Sequence, residues 1–163
     1  MDKRPVFTDI LHRLHRQALR RRKVQPRAKA LLWDEAELIL LIRHPQEGRW
    51  RLPGDFVRNE ESAYDAVRRA LAELAGVQPL DLTPIARIDE SQFRPDVMYG
   101  DFFQMYSALF WVRRWRDVAR REESPWEVGL FPSADLPHAL HEEASVALKA
   151  LRAFEETGQI QVF

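Results

Sequence analysis

Residues 50–77 read WRLPGDFVRNEESAYDAVRRALAELAGV, and everything else in the chain is best understood outward from them. The second half has helical spacing. Ala63, Ala66, Val67, Ala70, Leu71 and Leu74 recur at three- and four-residue intervals and form one broad apolar face over Ser62–Ala75. Ser62 is suited to an N-cap, and Gly76 stands where a left-handed C-cap belongs. The first half, Pro53–Glu61, predicts a loop with a sharp bend at Pro53-Gly54. Glu60 and Glu61 stand just ahead of the helix. Arg69 lies four residues from both Asp65 and Glu73, so either acid can pair with it on the helix surface.

On either side of this segment the pattern changes to strands. Upstream, Ala28–Trp33 and Leu38–Arg43 are short apolar runs split by Asp34-Glu35, and the second is apolar enough to be buried on both faces. Downstream, Leu82–Asp89 and Phe102–Val112 read as strands, Arg113–Ser124 as a charged loop and Trp126–Phe131 as a final strand. His141–Glu156 reads as a closing amphipathic helix before Gly158. At the N-terminus, Thr8 is a plausible N-cap, Phe7, Ile10, Leu11, Leu14 and Ala18 form a stripe, and Pro26 marks the exit. Residues 1–26 are thus expected to be a basic helical extension in front of a single domain over 27–163. The order of helix, strands, helix, strands, helix implies the α/β (α+β) class, a mixed sheet with helices packed on it.

Composition narrows the functional classes. The 163 residues suit one domain, and 45% apolar with 31% charged residues is ordinary for a globular protein. No apolar run approaches the roughly 20 residues that span a bilayer, and the basic N-terminus lacks a secretory core and cleavage site. A cytoplasmic location is expected. With no cysteine, disulfides, thiolate metal sites and cysteine nucleophiles are excluded. Residues 1–30 carry ten Lys or Arg against two Asp, so +8 there balances −8 in the remaining 133. Arg20, Arg21, Arg22 and Lys23 form the densest cluster, which could draw polyanions, but no nucleic-acid motif accompanies it. The plainer reading is the solvated face of an amphipathic helix. Its apolar stripe would pack on the domain or on a second copy, and a homodimer is one such arrangement.

Residues 55–77 resemble the Nudix (MutT-like) box, whose pattern is Gly, five residues, Glu, seven residues, Arg-Glu-apolar-any-Glu-Glu-any-Gly-apolar. With Gly76-Val77 on the final pair, Glu61, Arg69, Leu71 and Glu73 match. A register starting at Gly54 matches fewer positions. Three positions depart: Asp55 replaces the opening Gly, Ala70 the first helical Glu and Leu74 the third. The layout of strands and helices over residues 27–156 is also similar to the family's. An added N-terminal helix is similar to that of some bacterial members of the ADP-ribose type.

The resemblance implies a Nudix-type α/β/α sandwich. It implies a nucleoside diphosphate derivative as the small-molecule partner and Mg²⁺ or Mn²⁺ as cofactor if active; from composition, neither a membrane nor nucleic acid is expected as a partner. It assigns Glu61, Arg69 and Glu73 to catalysis and Glu61, Glu73 and Glu60 to the metal. Divalent ions neutralise the phosphates and activate water, and they need oxygen ligands. Losing two carboxylates at Ala70 and Leu74 removes much of that attraction. Asp55 and Glu127 are candidate replacements, each with an ordinary turn or surface role as the alternative. Two functions follow: a divergent pyrophosphohydrolase with weak or lost activity, or an inactive nucleotide-binding or interaction module. Trp50, Phe56, Tyr99 and Trp126 lie beside predicted loops, where one could stack a base. His138 and His141 read as caps or surface groups.

Overall fold

The computed structural model describes residues 23–93 and 103–163; the expected N-terminal helix and Tyr99 lie outside them. The strands are β1 (Lys23–Trp33), β2 (Leu38–Arg43), β3 (Trp50–Arg51), β4 (Gly54–Phe56), β5 (Val77–Pro79), β6 (Thr83–Asp89), β7 (Phe103–Val112), β8 (Trp115–Asp117), β9 (Glu127–Pro132) and β10 (Gln161–Val162). The helices are α1 (Ala63–Ala70), extended by a π turn at Leu71–Ala75, and α2 (Glu142–Thr157). The main sheet has the order β10-β6-β7-β1-β2-β3, with β4 also paired to β1 and β9 to β2. It is mixed: β1 runs parallel to β7 and antiparallel to β2 and β4.

β1 begins at Lys23, so the strand reaches further back than the apolar run at Ala28–Trp33, and residues 23–26 belong to the sheet rather than to a helical extension. Pairing explains the difference. β7 follows β1 from Lys23 opposite Phe103 to Leu32 opposite Val112, and Pro26 still offers its carbonyl to the Val57 N–H at 2.9 Å. Arg113–Ser124 is not simply a loop either. Trp115–Asp117 forms β8, which pairs antiparallel with β5 because Trp115 packs against the apolar core.

Alternation along β1 divides the molecule into layers. Ala28, Ala30 and Leu32 face α1, where Ala66, Val67 and Leu71 complete one core. Leu31 faces the other way, with Leu109 on β7 and Ala147, Ala150 and Leu151 on α2. Small residues at the contact let each helix lie close to the sheet. Leu71 has no exposed surface, and burying such a side chain contributes about 2 kcal/mol. β2 is buried on both faces from Ile39 to Ile42, as its unbroken apolar run implied.

Both helix ends of α1 are built as the sequence indicated. Ser62 Oγ accepts from the Asp65 N–H at 3.1 Å, and Gly76 takes a left-handed φ of 66°. Leu71–Ala75 departs from regular α geometry, its wide turn closing with the Gly76 N–H on the Leu71 carbonyl. Such turns recur at functional sites. Gly54 is required for a different reason. A Cβ there would stand 2.5 Å from the Ala28 carbonyl and from Lys29 Cγ, so only glycine lets β4 lie against β1.

Candidate functional site

The loop after β4, the N-terminus of α1 and the starts of β1 and β7 meet at one end of the sheet. Arg69, on the last turn of α1 proper, organises this end. Its Nε donates to Glu61 Oε1 at 2.7 Å and its Nη2 to Glu61 Oε2 at 3.0 Å. Nη1 reaches Asp55 Oδ2 at 2.9 Å, and Nη2 also donates to the Phe56 carbonyl at 2.9 Å. Glu73 approaches the same guanidinium at 3.7 Å, while Asp65 is engaged instead by Ser62 and Arg68. Thus Asp55, Glu61 and Glu73 converge, and the cation among them is an arginine. The bidentate hydrogen bond from Arg69, followed by the Arg58 N–H, holds the Glu61 carboxyl down at about 2. The Arg69 guanidinium is raised by the same pairing with Glu61.

Asp55 therefore acts as an arginine partner within β4. Glu60 is exposed at a left-handed φ of 63°. Glu73 is half exposed and otherwise touches only Arg58, at 3.9 Å. Glu127 is not brought to this end. It lies opposite Arg43 in the β2–β9 register, bonded to it at 2.5 Å, with the guanidinium over the Trp50 ring at 4.6 Å. Phe131, four residues on and so on the same face of the strand, packs in the α2 core, so this acid points away from α1.

Ala70 is 1% exposed and belongs to the buried face of α1; Leu74 packs partly buried against the core between α1 and the sheet. The two positions that would carry carboxylates in the box thus carry a buried methyl group and a partly buried isobutyl group. Among the described residues, no three His, Cys, Asp or Glu side chains gather in a way that could hold a metal ion. The donor set that the described residues place near the box does not fit a resident dication of the kind the box serves.

Beneath β4, on the α2 side of the sheet, lies a second cluster that sequence reasoning missed. Lys29 Nζ binds both Glu143 Oε2 and Glu90 Oε1, Arg27 binds Glu90 Oε2 at 2.9 Å, and Ser107 Oγ donates to Glu90. Glu143 also accepts the Leu52 N–H at 3.2 Å, just ahead of Pro53-Gly54. All four charged side chains are buried. The available signal was Lys29 inside the apolar run of β1, at a position whose neighbours two residues on face a core. His141, the N-cap of α2, accepts the Glu143 N–H on Nδ1 at 3.2 Å.

These pairings make stability pH-dependent. Burial alone would raise Glu90, but the charges of Lys29 and Arg27 outweigh it and bring the carboxyl from 4.5 to about 2; Glu143 is likewise held low. Burial lowers His141 from 6.5. In every case the unfolded chain binds protons that the folded one refuses, so stability falls as pH falls. We expect a shallow decline below pH 6.5 from His141. A steeper decline should follow between 4.5 and about 2 from Glu90, with Glu143 adding to it. Urea denaturation across that range would show it, and a stability flat down to the acid limit would contradict these pairings. At the other cluster, Arg69→Gln should lower Tm by several degrees and return Glu61 from about 2 towards 4.5, readable by carboxyl NMR.

The NUDIX domain family model matches residues 23–154. The chain belongs to this family. Solved structures agree on the Nudix fold. A MutT NUDIX hydrolase from Burkholderia pseudomallei is similar with 23% identity and a TM-score of 0.65, over 79% of this chain and 98% of that one. A UDP-X diphosphatase matches over 96% of this chain and 75% of its own, with 15% identity and a TM-score of 0.64. An ADP-ribose pyrophosphatase from Streptococcus suis matches over 85% and 98%, with 20% identity and a TM-score of 0.58. At these identities the likeness carries the fold. No curated protein matches. Among the described residues, no helix of this Nudix protein is long and apolar enough to cross a membrane.

Proposed function

We propose that this Nudix protein binds nucleoside diphosphate derivatives and hydrolyses them weakly or not at all. The observation that carries the reading is that a buried Ala70 and a partly buried Leu74 stand where the box would place carboxylates. The convergence of Asp55, Glu61 and Glu73 on Arg69 supports it, because these acids already neutralise a cation. In this reading Glu61 and Arg69 are positioning residues that fix the loop after β4 against α1. Glu73, half exposed and held only at 3.7 and 3.9 Å, is the box carboxylate with most freedom to act on a ligand; Glu60 stands outside the cluster.

The test pairs calorimetric titration of Mg²⁺ and Mn²⁺ with a hydrolysis screen over ADP-ribose, UDP-linked compounds and nucleoside triphosphates. The expected result is no saturable metal binding below millimolar concentration, with turnover close to background. Micromolar binding of several ions with rapid turnover of any compound would overturn the reading.

A further inference from the structure

A cleft of about 500 Å³ opens where β1 meets β4 and the loop after it, lined by Val24, Gln25, Pro26, Phe56, Val57 and Asn59. This volume is in the range of small-molecule sites. Every lining side chain is uncharged, which disfavours an ionic ligand. Phe56 is 41% exposed, so its side chain is open to a ligand. One face of its ring is covered by the Arg27 guanidinium at 4.8 Å from the centroid. That guanidinium is itself fixed by Glu90 at 2.9 Å, so the ring is backed by a buried, braced charge and not by a mobile surface group.

The rest of the cleft is equally fixed. Arg27 lies opposite Phe56 in the antiparallel β1–β4 register, and the Val57 N–H donates to the Pro26 carbonyl at 2.9 Å. Gln25 and Asn59 line the same cleft, and no hydrogen bond engages either carboxamide among the described residues. A carboxamide offers one acceptor and two donors side by side, the pattern that pairs with the edge of a heterocycle such as adenine. A braced aromatic ring in a cleft that also holds two carboxamides, with no charged side chain in its lining, is suited to a flat, uncharged ring with polar edges.

We infer that this cleft takes the nucleobase of the ligand, stacked on Phe56 and read at its edges by Gln25 and Asn59. The inference rests on the preceding reading in taking the ligand to be a nucleotide derivative. The test uses bare nucleosides, which carry no phosphate, so it can fail while the diphosphate reading stands, and the reverse.

Adenosine, guanosine, cytidine and uridine would be titrated against the full chain by saturation-transfer NMR and calorimetry. At least one should bind with millimolar affinity or better. Phe56→Leu should weaken it tenfold or more, Phe56→Tyr should retain it, and Asn59→Ala with Gln25→Ala should flatten the preference among the four bases. Far-UV circular dichroism would establish that each variant is folded, and the exposure of Phe56 makes that the expected outcome. No binding of any nucleoside at the solubility limit would overturn the inference. So would binding that Phe56→Leu leaves unchanged.

Discussion

Lys29→Met should unfold the protein roughly 10 °C below the parent chain, the largest loss expected from any single side chain. Lys29 is 2% exposed and lies between Glu90 and Glu143, both buried. Removing it leaves Glu143 with the distant Arg51, at 3.9 Å, His141 at 3.8 Å and the Leu52 N–H. Breaking a buried pair by deleting one partner costs about 3–5 kcal/mol, because the remaining charge has lost both water and its counter-ion. In a domain of this size each kcal/mol moves Tm by about 2–4 °C. Lys29→Met with Glu143→Leu should cost clearly less than the sum of the two single changes, since the double variant strands one fewer charge. A thermal and urea cycle would measure it. Strictly additive losses would mean that the network contributes nothing beyond packing.

Ala70→Glu should be nearly as damaging, and the loss should be partly reversed by metal when Leu74→Glu is added. Ala70 is 1% exposed, on the buried side of α1, so a carboxylate there would be removed from water with no partner provided. The cost is on the order of 3–5 kcal/mol. Leu74 is only partly buried, and Leu74→Glu alone should cost about 1–2 kcal/mol. With both acids in place, on the side of the helix that also leads to Glu73, millimolar Mn²⁺ should raise Tm in the double variant and not in the parent, by linkage to the folded state. Differential scanning fluorimetry with and without Mn²⁺ reads this directly. A folded double variant that gains nothing from Mn²⁺ would show that the missing carboxylates are not what separates this helix from a metal-binding one.

The parts of the fold legible in the sequence are those specified by local periodicity. The apolar face of α1, its Ser62 and Gly76 caps, the unbroken run of β2 and the closing helix all follow from spacing within a dozen residues. The unread parts depend on partners far along the chain. β5 and β8 are three residues each and exist because they pair with one another; β10 exists because β6 offers a free edge. The site divides similarly. The match of Glu61, Arg69 and Glu73 to the box was visible, but the helix rule suggested Asp65 or Glu73 as the partner of Arg69. The bonded partners are Glu61 and Asp55, eight and fourteen residues away, reached only once β4 lies beside α1. Arg27 and Lys29 read as part of a basic N-terminal segment because Glu90 and Glu143, 63 and 114 residues on, have no local signature.

The central position of β1 has a consequence for synthesis. Its parallel neighbour begins 80 residues later, at Phe103, and the acid that completes the Lys29 pairing lies 114 residues downstream on the last helix. As the chain leaves the ribosome, α1 and the early hairpin emerge while the strand that must flank β1 is still unmade. Lys29 meanwhile waits in water, where its charge costs nothing. Only when α2 emerges can the ammonium enter the core with both carboxylates, so loop closure over most of the chain comes before the network contributes anything. Folding of this domain should therefore be slow for its size and nearly all-or-none, with the C-terminal helix as its last obligatory step.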